Sequence, residues 1–284
     1  MTKTMLRITM GIILMTLLVF NVSCGPQSAG QTSGGANQTG NAEKPKLICG
    51  VTEFEPINFR DASGAWTGFD TEFALLVGER LGMDVVFQEI VWDKKFMEIE
   101  AGAISCIWNG FTANVIDSVT GRPRIEDVDM SYGYMLNQQC VVIKADRAAE
   151  FKSIDALAGK TAAAEKGSAG ESLALEAVGS TGNIIDTAAQ INTFTEVKAG
   201  AVDCAVVDIL LAQNITGSGD YSDLIIADIT LDSEIYAVGF KKGSELTEKV
   251  NQAMKALYDE GKLLQLAEKY GLENTLILIT DPGK

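Results

Sequence analysis

The chain has 284 residues, 46% hydrophobic and 21% charged, with a formal charge of −15 and no histidine. Such a composition excludes wholesale disorder and leaves room for two domains. The acidic balance excludes nucleic acid as a partner, because that binding rests on Lys and Arg neutralising phosphates. The missing histidine removes the usual general base of hydrolases and the commonest metal ligand. No catalytic residue, metal or cofactor is expected, and any enzyme here would have to work with carboxylates, Lys, Tyr or Cys.

Residues 1–23 read as an export signal. Lys3 and Arg7 make a basic start, and residues 8–20 are apolar apart from Thr9, Gly11 and Thr16. That run falls short of the ~20 residues a bilayer-spanning helix needs. It has the build of a signal-peptide core. Ser23-Cys24-Gly25 follows at once and resembles a bacterial lipobox, with Asn21 where an aliphatic residue is usual. Cleavage there would leave Cys24 as a lipid-bearing N-terminus, palmitate included. A lipoprotein anchored at the extracytoplasmic face of the cell membrane is expected. Residues 24–44, rich in Gly, Ser, Gln and Asn, read as a flexible tether.

Residues 46–52 (KLICGVT) alternate like a strand. Residues 71–81 place Phe73, Leu76, Val77 and Leu81 at helical spacing, and Gly82 stands where a C-cap glycine belongs. Residues 85–90 read as a strand, 94–101 as a helix and 104–108 as a strand. This alternation predicts an α/β fold with parallel strands flanked by helices. Residues 96–108 (FMEIEAGAISCIW) and 194–206 (FTEVKAGAVDCAV) repeat one unit. Each is an amphipathic helix, an Ala-Gly-Ala stop and a short apolar strand holding a Cys. One copy in each half points to two lobes of related build. Cys49, Cys106, Cys140 and Cys204 lie in or beside apolar runs and are expected as buried small hydrophobes. Their spacing does not fit a zinc site, and a disulfide among them stays open.

Open α/β sheets bind ligands at the carboxyl ends of their strands. The loops expected after the repeated strands are therefore the first candidates: Asn109-Gly110-Phe111-Thr112 and Val207-Asp208. An anionic ligand group favours an Arg fork, for which Arg124 and Arg122 are both candidates. Asp208 reads either as the acceptor of a ligand ammonium or as the cap of a helix over Ile-Leu-Leu-Ala. Gly167-Ser168-Ala169-Gly170-Glu171 opens a helix. Ser168 and Glu171 there make a candidate capping box, and the same helix start offers N–H groups to an anion. Phe54 and Trp92, just after predicted strands, are either core residues or walls of a pocket.

Taken in order, these segments resemble family 3 of the extracellular solute-binding proteins over about residues 46–273. They are GVTEFEPINF at 50–59, Gly68-Phe69-Asp70, Trp92-Asp93, Gly110-Phe111-Thr112, and Arg124 with Asp129-Met130-Ser131. Gly167-Ser168, Ala205-Val206-Val207-Asp208 and the helical stretch 251–271 complete them. The resemblance implies a periplasmic-binding-protein-like fold: two lobes with central mixed sheets, joined by two crossing hinge strands near residues 138–142 and 236–240. Lobe 1 would comprise residues 45–136 and 233–281, and lobe 2 residues 137–232. It also implies the substrate-binding component of an ABC-type amino acid importer. Such a monomer closes on a free polar amino acid and delivers it to permease subunits. By the same resemblance Phe54 and Trp92 sandwich the ligand. Gly110, Thr112 and Arg124 hold its carboxylate with Ser168 and Ala169, Asp208 holds its ammonium, and Asn109 is a further ligand-binding candidate.

The chain departs from the family in two places. Residues 113–123 are an insertion between Thr112 and Arg124, which keeps Arg122 in contention. Val51 stands where members that bind cationic amino acids often carry Asp, which argues against Lys or Arg as the ligand, although Glu53 and Glu55 could compensate. An enzyme on the same fold, such as a dehydratase of amino-acid precursors, and a sensory amino-acid-binding domain are the alternatives.

Overall fold

The computed structural model describes residues 43–283; the export signal, Cys24 and nearly all of the tether lie outside them. β1 (Lys46–Val51) buries Leu47, Cys49 and Val51 at alternate positions. A small hairpin of β2 (Phe59–Arg60) and β3 (Trp66–Thr67) leads into α1 (Phe69–Leu81). Gly82 ends α1 in the left-handed conformation, its N–H returning to the Glu79 carbonyl, as the sequence predicts. β4 (Asp84–Glu89) lies parallel to β1, and a tight turn at Trp92–Lys94 starts α2 (Lys95–Glu100). β5 (Cys106–Thr112) is buried along its whole length. α3 (Arg124–Asp127) and β6 (Asp129–Met130) then lead to β7 (Gly133–Lys144).

The second half alternates in the same way. β8 (Thr161–Glu165), α4 (Ala169–Val178), β9 (Asn183–Thr187), α5 (Gln190–Ala199), β10 (Cys204–Asp208), α6 (Ile209–Ile215) and β11 (Leu224–Ile226) follow one another. β12 (Ser233–Phe240) returns to the first half, where α7 (Glu245–Asp259), α8 (Lys262–Lys269) and β13 (Leu276–Ile279) close the chain. α7 is held by Val250, Met254 and Leu257, buried at helical spacing. Burying each such side chain contributes roughly 1.5–3 kcal/mol over leaving it exposed.

The strands follow the order β4-β1-β5-β12-β7-β10-β8-β9 through both halves. β7 is the continuous link. Its residues 135–138 pair with β12, and residues 139–142 pair with β10. The crossing expected at 138–142 therefore begins at the Gln138-Gln139 step. The crossing expected at 236–240 is displaced, because those residues pair with β5 and β6 inside the first half. The return instead runs through residues 227–232, between β11 and β12.

The repeated unit is real in three dimensions. Gly102 and Gly200 both take positive φ after their helices, at 72° and 73°. Cys106 and Cys204 open β5 and β10. Each strand lies between a parallel neighbour and an antiparallel one, β1 and β12 for β5, β8 and β7 for β10. Cys49, Cys106, Cys140 and Cys204 are buried and free, and the Sγ atoms of Cys49 and Cys106 are 3.6 Å apart. No helix among the described residues is long and apolar enough to cross a membrane.

Candidate functional site

β5 and β10 carry polar residues at their carboxyl ends to the seam where β7 passes from one half to the other. β5 starts later and runs further than residues 104–108. Asn109, Gly110 and Thr112 are therefore strand residues and not loop residues, and Val207 and Asp208 likewise belong to β10. Polar groups are tolerated there because they are satisfied internally. Asn109 Oδ1 accepts from the Thr52 N–H (3.0 Å) and from Asn58 Nδ2 (2.8 Å), while its own Nδ2 donates to Thr52 Oγ1 (2.7 Å). The Gly110 N–H donates to Asp70 (2.7 Å), which also accepts from the Tyr134 hydroxyl (2.7 Å). Burial pushes the Asp70 carboxyl up to about 7, against the pull of those two donors. Asn109 and Gly110 thus make framework bonds. Gly110 has φ 54°, and a Cβ there would lie 2.9 Å from both the Phe54 and the Tyr236 ring, so the position requires glycine.

Phe54 and Trp92 are both buried. Phe54 meets Tyr236 of β12 edge-on, with ring centroids 6.4 Å apart. Trp92 meets Phe111 of β5 in the same way at 6.1 Å.

The two candidate arginines are distinguished at once. The Arg122 side chain is 59% exposed and pairs with Asp127, whereas that of Arg124 is 1% exposed. Arg124 Nε donates to Asp117 Oδ2 (2.9 Å), Nη1 to the Thr112 carbonyl (3.0 Å) and Nη2 to the Gly167 carbonyl before α4 (3.0 Å). Lys95, read from sequence only as part of a helix, joins this group. Its Nζ lies 2.9 Å from Asp117 Oδ2 and donates to the Gly167 carbonyl (2.8 Å). Burial, then the nearby Arg124 charge, bring Lys95 down to about 8 although Asp117 opposes them. Burial acts to raise the Asp117 carboxyl, but Arg124 and Lys95 together outweigh it and leave Asp117 below the usual carboxylate range.

Asp208 precedes α6, but its side chain makes no capping bond. Its Oδ1 accepts instead from Asn137, Gln139 and the Tyr236 hydroxyl, and its Oδ2 accepts from Gln190. Asn137 and Gln139 each donate also to Glu234 Oε2 (3.0 Å), which takes the Thr112 hydroxyl as well (3.1 Å). Two amides of β7 thereby brace two carboxylates. Glu165, the last residue of β8, is buried nearby. Its Oε1, with Gln139 Oε1 and Asn137 Oδ1, has no hydrogen-bond partner among the described residues. Burial and the Asp208 charge raise Glu165 to about 8 and Glu234 to about 7, and burial raises Asp208 too. Unpartnered acceptors and crowded carboxylates are both stabilised by an added positive group.

Ser168 caps α4: its Oγ accepts the Glu171 N–H at 2.9 Å. The Glu171 carboxylate reaches back to the Gly167 N–H at 2.7 Å, one residue before the usual capping-box partner. Ser168 and Ala169 are buried at this helix start, whose first N–H groups lack intrahelical acceptors. Gly170 abuts β10 so closely that a Cβ would lie 2.6 Å from the Val206 carbonyl.

The structure thus joins Thr112, Arg124 and Asp208 in one polar network with the Gly167-Ser168 turn. Sequence reasoning missed Lys95, Asp117, Glu165 and Glu234. The one available signal was Asn137-Gln138-Gln139, a polar run inside an apolar strand. Among the described residues no group of three or more His, Cys, Asp or Glu side chains is arranged to hold a metal ion.

Residues 47–273 match the bacterial extracellular solute-binding proteins, family 3. The arginine-binding extracellular protein ArtP of Bacillus subtilis (strain 168) is 26% identical over 251 residues, covering 87% of this chain and 91% of that protein. The L-cystine-binding protein TcyA of the same organism is 26% identical over 274 residues, covering 95% and 97%. A solved ancestral arginine-binding protein bound to arginine shares 27% identity with a TM-score of 0.71, covering 80% of this chain and 98% of that one. The fold is accordingly the two-lobed α/β fold of the periplasmic amino-acid-binding proteins, and the chain belongs to family 3 of the bacterial extracellular solute-binding proteins.

Proposed function

We propose that this chain is the extracytoplasmic binding component of an ABC-type amino acid importer, and that its ligand is a free amino acid with a positively charged side chain. The observation that carries this reading is the acidic cluster of the buried Asp208 and Glu165 with the half-buried Glu234, and the unpartnered acceptors beside it. Family membership and the amino-acid ligands of the relatives support it. The carboxylates come from β8, β10 and β12, so Val51 needs no acidic replacement in β1.

In this reading residues 45–136 with 233–281 form one lobe and residues 137–232 the other. Asp208 takes the ligand's ammonium, and Glu165 and Glu234 take its side-chain cation. Arg124, Thr112 and the Ser168-Ala169 helix start take its carboxylate. Phe54 and Trp92 flank its apolar stem, with Asn109 and Gly110 as framework. The lobes close as a hinge because the ligand touches both faces only in the closed form. Micromolar affinity, about −8 kcal/mol, is ordinary for such a site. The permease subunits receive the ligand from this monomer, which residues 1–23 export, Cys24 anchors through lipid and residues 24–44 tether. The binding-protein relatives weigh against the enzyme alternative.

Calorimetry of the exported protein against the twenty amino acids tests the reading. L-arginine and L-lysine are expected to bind at least tenfold more tightly than neutral amino acids. No binding by any of the twenty would overturn the function; tightest binding by a neutral one would overturn only the charge selection. Loss of palmitate labelling in Cys24→Ser is the expected result for the anchor, and retained labelling would refute it.

A further inference from the structure

We propose that Asp117 is an internal competitor for the ligand's carboxylate, a side chain of the inserted segment that holds Arg124 and Lys95 until an amino acid displaces it. The proposal rests on the amino-acid reading above. Asp117 is fully buried, and its Oδ2 lies 2.9 Å from both Arg124 Nε and Lys95 Nζ. No other acidic side chain among the described residues is within ion-pair distance of either cation. A ligand carboxylate seeking Arg124 therefore meets a carboxylate already in place. The remaining acceptors on Arg124 are the backbone carbonyls of Thr112 and Gly167, which bind a guanidinium more weakly than a carboxylate does.

The segment is built to present this group. Asp117 Oδ1 accepts the Val119 N–H (3.0 Å), its carbonyl accepts the Gly121 N–H (2.8 Å), and its own N–H donates to the Arg122 carbonyl (2.9 Å). A tight turn thus holds the carboxylate at its inner tip. The turn also grips the start of α4 in the other half. Ser118 Oγ donates to the Glu171 carboxylate, and Ser172 Oγ donates to the Ile116 carbonyl (2.9 Å). The same helix start is where the proposed ligand carboxylate would dock, so strap and ligand exclude one another. On its outer face Ile116 is 60% and Val119 49% exposed, so little apolar packing opposes release. The apparent affinity of the site is then lowered by the fraction of molecules whose strap is in place. Asp117 also sets specificity, since only a ligand with a free carboxylate can replace it.

The test titrates the tightest-binding amino acid of the twenty and its decarboxylated amine, L-arginine and agmatine on the charge argument, into the exported protein and its Asp117→Asn variant. Asn keeps the size and an acceptor for Val119 but loses the charge. The amino acid is expected to bind the variant tenfold or more tightly than it binds the parent, while the amine changes less than threefold. Equal or weaker binding of the amino acid by the variant would overturn the proposal. Should the variant fail to fold, hydrogen exchange of the parent protein decides. Saturating ligand is expected to speed exchange of the Val119 and Gly121 amides while slowing those of α4, and unchanged or slower exchange at Val119 and Gly121 would overturn it. Failure of both proteins to bind any amino acid would remove the amino-acid reading and the competitor together. Binding with an unresponsive strap would remove the competitor alone.

Discussion

A chain without histidine has no ordinary side chain that titrates between about pH 5 and 7.5, so pH dependence in that window exposes its unusual groups. Asp70 and Glu165 are two of them, raised by burial to about 7 and about 8. In the unfolded chain both are ionised above about pH 5, whereas in the folded chain both keep their protons to pH 7 or beyond. The folded state binds more protons, so stability is fully present below the unfolded pKa values and is lost as pH rises through the folded ones. Each group contributes about 1.4 kcal/mol per pH unit inside that window, so the pair removes up to about 3 kcal/mol per unit between pH 5 and 7. Asp208, Glu171 and the half-buried Glu234 are raised mainly by burial and act in the same direction. Lys95, brought down to about 8, acts only above the window, and Asp117, held low, only below it. Urea unfolding of the ligand-free protein at pH 5, 6, 7 and 7.5, at fixed ionic strength, measures the slope. Glu165→Gln should remove about 1.4 kcal/mol per unit of it. Stability that is level or rises with pH through this range would refute the reasoning.

Asp208→Asn should weaken amino acid binding by about 10- to 150-fold, the loss of a charge-assisted hydrogen bond of about 1.5–3 kcal/mol, as read by calorimetry. Gly110→Ala combines φ 54° with contacts to two rings at 2.9 Å. It should lower stability by about 1–3 kcal/mol, seen as a lower urea midpoint at unchanged slope.

Much of the fold was legible because local periodicity and burial coincide. α1 announces itself through Phe73, Val77 and the Gly82 stop, and the Ala-Gly-Ala units mark where β5 and β10 begin. The far end of β5 was not legible. Asn109-Gly110 has the composition of a loop, and only the partners Thr52, Asn58 and Asp70, distant in sequence, let it continue as strand. The Asp208 ambiguity between cap and site likewise depended on Asn137, Gln139, Gln190 and Tyr236, which no local pattern connects to it. Lys95 and Glu165 were missed for the same reason: a charge can be buried only where tertiary neighbours neutralise or neighbour it, and spacing along the chain does not record them. The Arg124 and Arg122 alternatives differ only in which way the inserted turn aims them.

Asn137 and Gln139 sit astride the step where β7 exchanges one neighbouring strand for another, and as alternate residues they share a face. Between them they make four N–H···O bonds to Asp208 on β10 and Glu234 on β12. The pivot of the molecule and its charge lock are therefore one short stretch of backbone. Shearing β10 away from β12 must unfasten those amides. A substitution at either position made to alter taste for a ligand will alter the stiffness of the joint as well.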